Sequence, residues 1–140
     1  MNKSTRLHDG FIKVDLVQND LGDWEVVRAS DAVVILIYDQ DSESVVLVRQ
    51  PRAAMETKAN PRGLTTEAPA GRFDYQATPT QLAVNEVKEE TGIDLKPEEI
   101  TILNDGQPLA TSPGVLTEKV YLCFAQVRLD NLDRTHNHFR

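Results

Sequence analysis

Residues 78–92, TPTQLAVNEVKEETG, carry both a start and a stop signal for a single helix, and no other segment is bounded so tightly. Thr78 suits the cap of the first turn, Pro79 the first helical position, and Gln81 completes a T-x-x-Q capping box. Gly92 supplies the left-handed residue that ends a helix. The pattern predicts a helix over Pro79–Thr91, and the remaining chain must be organised around it.

That remainder alternates short apolar runs with turn residues. FIKVDLVQ and WEVVRA flank NDLGD, which predicts a hairpin over residues 11–29. DAVVILIYD and SVVLVRQP flank QDSE, a second hairpin whose near-continuous apolar strands imply burial on both faces. The acidic turn at residues 39–43 lacks the glycine and closing glutamate of a calcium loop and reads as a solvated turn. Residues 53–66 read as a surface loop and EAPAGRFDYQAT as an irregular lead into the helix. A helical turn at 97–100, a strand at 101–103, the loop ATSPGVLTE and a strand over Lys119–Val127 follow. The expected class is α/β: one domain over residues 1–140, with a mixed sheet around one central helix.

On a helical wheel with Leu82 at zero, Glu89 falls near 340°, Glu86 near 40° and Glu90 near 80°, for about 3.6 residues per turn. Ala83, Val84, Val87 and Thr91 occupy roughly 100° to 200°, so the three acids border the apolar stripe. Glu86 and Glu90 form a like-charge pair one turn apart, and Lys88 lies on another side. Two explanations stand side by side: a solvated acidic face, or a cradle of hard oxygen ligands for Mg²⁺ or Mn²⁺.

A net charge of −7 with no basic run disfavours nucleic acid and anionic membrane surfaces as partners. The longest apolar run is too short to cross a bilayer and MNKSTRLHDG has no signal core, so a cytoplasmic location is expected. Cys123, the lone cysteine, sits in VYLCFAQV and is expected to be a buried, inert thiol.

GRFDYQATPTQLAVNEVKEETGI, residues 71–93, resembles the Nudix box, G-x5-E-x7-R-E-U-x-E-E-x-G-U with U aliphatic. Gly71, Glu86, Val87, Glu89, Glu90, Gly92 and Ile93 match; Ala77 replaces the first glutamate and Asn85 the arginine. The resemblance implies an α/β/α sandwich with a mixed sheet, with Glu89 and Glu90 as principal metal ligands. It further implies Glu86 as a ligand or water-orienting group and the Ala70 carbonyl as a backbone ligand. The two replaced positions belong, by the family's logic, to groups that support the helix carboxylates.

Three further segments resemble the ADP-ribose and nucleotide-sugar pyrophosphatase branch of that family: VLVRQPR, EAPAG and SPGVLTEKVYL. The resemblance implies hydrolysis of a nucleoside diphosphate linked to a further group, with ADP-ribose giving AMP and ribose 5-phosphate as the first expectation. UDP- or GDP-sugars are the alternative, and a non-catalytic nucleotide-sensing domain is the alternative of another class. Arg49 and Arg52 are candidates to grip the diphosphate, since guanidinium forks match phosphate oxygens. For Glu67 the resemblance implies contact with substrate or orientation of an arginine, and it puts Glu118 in a loop facing the diphosphate.

The hairpin within residues 10–30 resembles the extra sheet through which this branch forms homodimers, and Trp24 there suits a stack on a base, a place in the core or an interface. Nothing in LDNLDRTHNHFR matches the acidic loop, strand and helix with which the branch continues, so the C-terminal part is expected to be missing. His136 and His138 read as part of a mobile tail.

Overall fold

A computed structural model describes residues 3–129. His136 and His138 lie outside the described residues. The first three strands, β1 (Lys3–Asp9), β2 (Lys13–Asn19) and β3 (Gly22–Arg28), form an antiparallel sheet of their own in the order β1-β2-β3. The β2–β3 pair is the expected hairpin, its ends closed from Lys13↔Arg28 to Asn19↔Gly22. β1 was not foreseen, because KSTRLHD shows no alternation of apolar and polar residues and all seven positions are exposed.

A six-stranded sheet forms the body. Its centre is the parallel pair β4 (Ala32–Asp39) and β11 (Lys119–Val127), in register from Ala32↔Val120 to Asp39↔Val127. Antiparallel partners flank it: β5 (Ser44–Val46) and β8 (Ala70–Arg72) on β4, β9 (Ile100–Ile102) and β10 (Leu109–Ala110) on β11. β6 (Val48–Pro51) leaves this sheet and pairs with β7 (Leu64–Glu67) in a separate two-stranded ribbon. The apolar run SVVLVRQP is therefore split at Leu47, and the stretch read as a surface loop contains β7.

The helix α1 occupies Pro79–Thr91, as the capping signals predict. Thr78 accepts a hydrogen bond from the Gln81 amide, and Gly92 closes the helix at φ 77° with its N–H on the Lys88 carbonyl. The capping box is only half built, because the Gln81 side chain turns forward to Asn85. Against the sheet α1 buries Leu82, Ala83 and Val87, which meet Val33, Ile35 and Ile37 of β4 together with Ile93, Leu95, Ile100, Cys123 and Ala125. Complete burial of such aliphatic side chains contributes about 1.5–3 kcal/mol each, and this cluster is the core.

Only one face of β4 is sealed. Val33, Ile35 and Ile37 are fully buried while Leu36 between them is 43% exposed, and Val45 on β5 is 46% exposed. Burial on both faces, expected from the apolar runs, does not hold: α1 covers one side, and among the described residues no second helix covers the other. The acidic turn also differs from its reading, since Asp39 is buried and accepts from the Ser42 hydroxyl and the Asp41 and Leu129 amides. Cys123 is buried, and desolvation pushes its thiol up to about 11, as expected of an inert core thiol.

Candidate functional site

The acidic residues of α1 are organised by β8, a strand of three residues. At Ala70 the backbone N–H donates to Glu90 Oε2 at 3.2 Å. At Gly71 the Glu86 carboxyl lies so close over the backbone that any Cβ there would collide with it. At Arg72 the guanidinium faces Glu118, with Nε 3.8 Å from Oε2. Three successive residues thus each address a different carboxylate, two from the helix and one from the start of β11.

The wheel put the acids at the border of the apolar stripe. Leu82 is buried on one side of Glu86 and Glu90, and Val87 on the other, so these two acids lie within the buried arc and face β8. The missing side chain at Gly71 makes that tolerable, because it leaves room for a carboxyl between helix and sheet. Glu89 is exposed, and Lys88 is engaged elsewhere with Asp94 at 2.6 Å.

Burial pushes the Glu90 carboxyl above its ordinary range. The Ala70 amide and the Arg52 guanidinium act in the opposite sense, favouring the charged form, and the Glu67 charge adds to the rise. The contact with Arg52 links the helix to the β6–β7 ribbon. Arg52 donates from Nε to Glu67 Oε1 at 3.0 Å and from Nη2 to Oε2 at 2.7 Å. Glu67 also receives the Thr65 hydroxyl and the Gln50 amide, and these donors hold its carboxyl down at about 2, the arginine contributing most.

The two arginines proposed for the diphosphate are placed differently. Arg52 is fixed by Glu67 beside Glu90, whereas Arg49 is exposed and pairs across the ribbon with Thr66. Alternation puts Arg49 on the opposite face from Gln50. Gln50, which the sequence pattern does not mark, reaches both Glu67 and Glu90. Only the β6–β7 register, invisible in a linear sequence, brings it there.

Glu118 closes the other end of β8, and its carboxylate also receives the Thr111 hydroxyl at 3.3 Å. The loop leading to it is clamped to the N-terminal sheet: Val27 N–H donates to the Val115 carbonyl and Thr117 N–H to the Val27 carbonyl. An open groove of about 450 Å³ runs beside this loop, lined by Val26, Ala110, Pro113, Val115, Leu116 and Lys119. None of the helix carboxylates lines it.

Among the described residues no three His, Cys, Asp or Glu side chains are gathered closely enough to hold a metal ion. Glu86 and Glu90 turn inward onto β8 while Glu89 points to solvent, so the expected triad is not a ready-made cage. The donor chemistry still fits a hard divalent cation: carboxylate oxygens gather at one helix flank, that of Glu86 seated where a Cβ at residue 71 would otherwise stand.

Residues 28–138 match the family model of the NUDIX domain. Relatives include the GDP-mannose pyrophosphatases of Cronobacter sakazakii, 35% identical over 102 residues, and of an Enterobacter species, 37% identical over 102 residues; each alignment covers 73% of this chain and 50% of the relative. A methanol dehydrogenase activator from Bacillus methanolicus is 29% identical over 113 residues, covering 81% of this chain and 55% of its own. The chain spans about half the length of the curated relatives it matches. With the box residues seated along β8 and the family match covering most of its length, the chain belongs to the NUDIX domain family.

Proposed function

We propose that this chain hydrolyses the diphosphate bond of a nucleoside diphosphate sugar with the help of Mg²⁺ or Mn²⁺. The observation that carries the reading is the seating of Glu86 and Glu90 along β8, where like charges are drawn into a partly buried position that a bound cation compensates. Glu86, Glu89, Glu90 and the Ala70 carbonyl are the groups proposed to hold the metal. When bound, such a cation neutralises diphosphate charge and lowers the pKa of a coordinated water.

The chain's own residues supply the rest. Arg52, oriented by Glu67 and within the field of Glu90, is proposed to grip a phosphate; Glu67 is thereby an orienting group. Arg49 is proposed to reach substrate from the outer face of the ribbon, and Glu118 to set the position of the loop over β8 through Arg72. The names of the relatives favour a GDP-linked sugar over ADP-ribose, which remains the second substrate to try.

The exposed apolar residues of the N-terminal sheet, Phe11 at 96% and Leu21 at 85% among them, support a homodimer formed through that sheet. Trp24, half-exposed on β3, belongs to this surface and not to a core. No helix among the described residues is long and apolar enough to cross a membrane, and a cytoplasmic site of action is proposed.

The test is a panel of GDP-mannose, other GDP- and UDP-sugars and ADP-ribose with Mg²⁺, run on the wild type beside Glu89→Gln and Glu90→Gln. Release of a nucleoside monophosphate by the wild type, with loss of turnover in both variants, is the expected result. Nucleotide binding without release points instead to a sensing domain, and unchanged turnover in both variants refutes the metal assignment.

A further inference from the structure

Residues 73–78 join β8 to α1, and each end of this loop is fixed. The Phe73 N–H donates to the Asp31 carbonyl at 2.9 Å, and its ring meets Tyr121 edge to face at 5.8 Å. At the other end Thr78 caps the helix. Between these anchors Asn85 Nδ2 donates to the Tyr75 hydroxyl oxygen at 2.8 Å, and Asn85 Oδ1 accepts from Gln81 Nε2 at 3.4 Å. Gln81, Asn85 and Glu89 succeed one another at single-turn spacing, so this chain of neutral groups lies on the helix row that carries Glu89 and directly precedes Glu86.

Asn85 and Ala77 are the two positions at which this chain departs from the box pattern, arginine and glutamate being replaced together. Replacing an arginine and a glutamate together leaves the net charge of the segment unchanged. Ala77 has joined the margin of the apolar core, and Asn85 has turned to Tyr75. We propose that Tyr75 and Asn85 are positioning residues, a neutral tie that pins the 73–78 loop to α1 and so fixes how Glu86 and Glu90 sit over β8. The inference rests on the metal-dependent reading above.

Tyr75 is 48% exposed, so removing its hydroxyl leaves the apolar core untouched. Tyr75→Phe, Asn85→Ala and the double variant are compared with the wild type in two ways: the Mg²⁺ and Mn²⁺ dependence of the thermal midpoint with GDP-mannose present, and kcat and KM across the sugar-nucleotide panel. Each single variant is expected to raise the metal half-saturation about tenfold, the lower end of the range for groups that orient metal ligands, and to lower kcat with KM near wild type. The double variant should be no worse than Asn85→Ala alone, because the bond to Tyr75 is already absent there.

An unchanged metal half-saturation in Tyr75→Phe, or additive effects in the double variant, overturns the proposal. So does a drop in the metal-free midpoint without a change in metal dependence, which is what a merely structural contact would give. A wild type that ignores metal in both measurements overturns the underlying reading as well; a responsive wild type with unaltered variants overturns this inference alone.

Discussion

The N-terminal sheet and the body around α1 solve the problem of staying folded by opposite means. In the body the core residues at 0% exposure are aliphatic: Val33, Ile35, Ile37, Leu82, Ala83, Val87 and Ala125. In the three-stranded sheet the buried residue is a carboxylate, Asp15, held by Arg6 and Arg28, while Leu7, Phe11, Ile12 and Leu21 are exposed. The family match also begins at residue 28, the end of β3. One region is closed by burial; the other depends on paired charges and on whatever covers its apolar side chains. The site lies on the closed region, where a helix and a strand with fixed partners hold the carboxylates.

The comparison breaks most readily at its centre. Ile35→Ala should cost about 2–5 kcal/mol, the range for emptying a packed core position, and thermal or urea unfolding will show it. If it costs as little as an exposed substitution, the body is not closed by burial. Next comes Asp15→Ala, which strands two arginines. It should expose β1 and β2 to proteolysis and loosen the proposed dimer in sedimentation while the unfolding midpoint of the body moves little. A single cooperative loss of both regions would show that they are energetically one.

Acid separates the regions in a further way. The Arg6 and Arg28 hydrogen bonds hold the Asp15 carboxyl below its ordinary range. A depressed folded value means stability that is present above the unfolded pKa and lost as pH falls through the folded one, so the N-terminal sheet should weaken in acid. The Arg52–Glu67 pair obeys the same sign: its contribution should be full above the ordinary glutamate value of 4.5 and vanish towards about 2. Glu67→Gln should therefore lower stability modestly at neutral pH, since the pair is partly exposed, and match the wild type near pH 2. A difference that persists at pH 2 excludes the ion pair as its cause. The smallest effect is expected from Phe11→Ser: stability of the fold should stay within about 0.5 kcal/mol, and only the dissociation constant of the proposed dimer should rise.

What the sequence made legible follows the same division. Local signals were enough for α1 and β11, whose limits agree with the residues named from capping and apolar pattern, and for the β2–β3 hairpin. β1 and β7 were hidden because KSTRLHD and LTTE carry no period that a half-buried strand requires; only pairing with a neighbour makes them strands. In the site, the wheel brought Glu86, Glu89 and Glu90 to one flank, yet it gave Leu82 no place in the buried face, since Glu86 and Glu90 separate it from the apolar stripe. Gln50 lies in the recognised segment VLVRQPR, yet neither its partners nor those of Tyr75 could be read. One depends on ribbon register and the other on the path of a loop.

β8 is held to β4 by the partners Ala32↔Arg72, Val33↔Gly71 and Val34↔Ala70. Deleting or adding a single amino acid between Glu67 and Ala70 would slide this ladder by one rung and bring a side chain beneath Glu86 in place of the glycine. The spacing of that short tract therefore matters more to the acids than its composition.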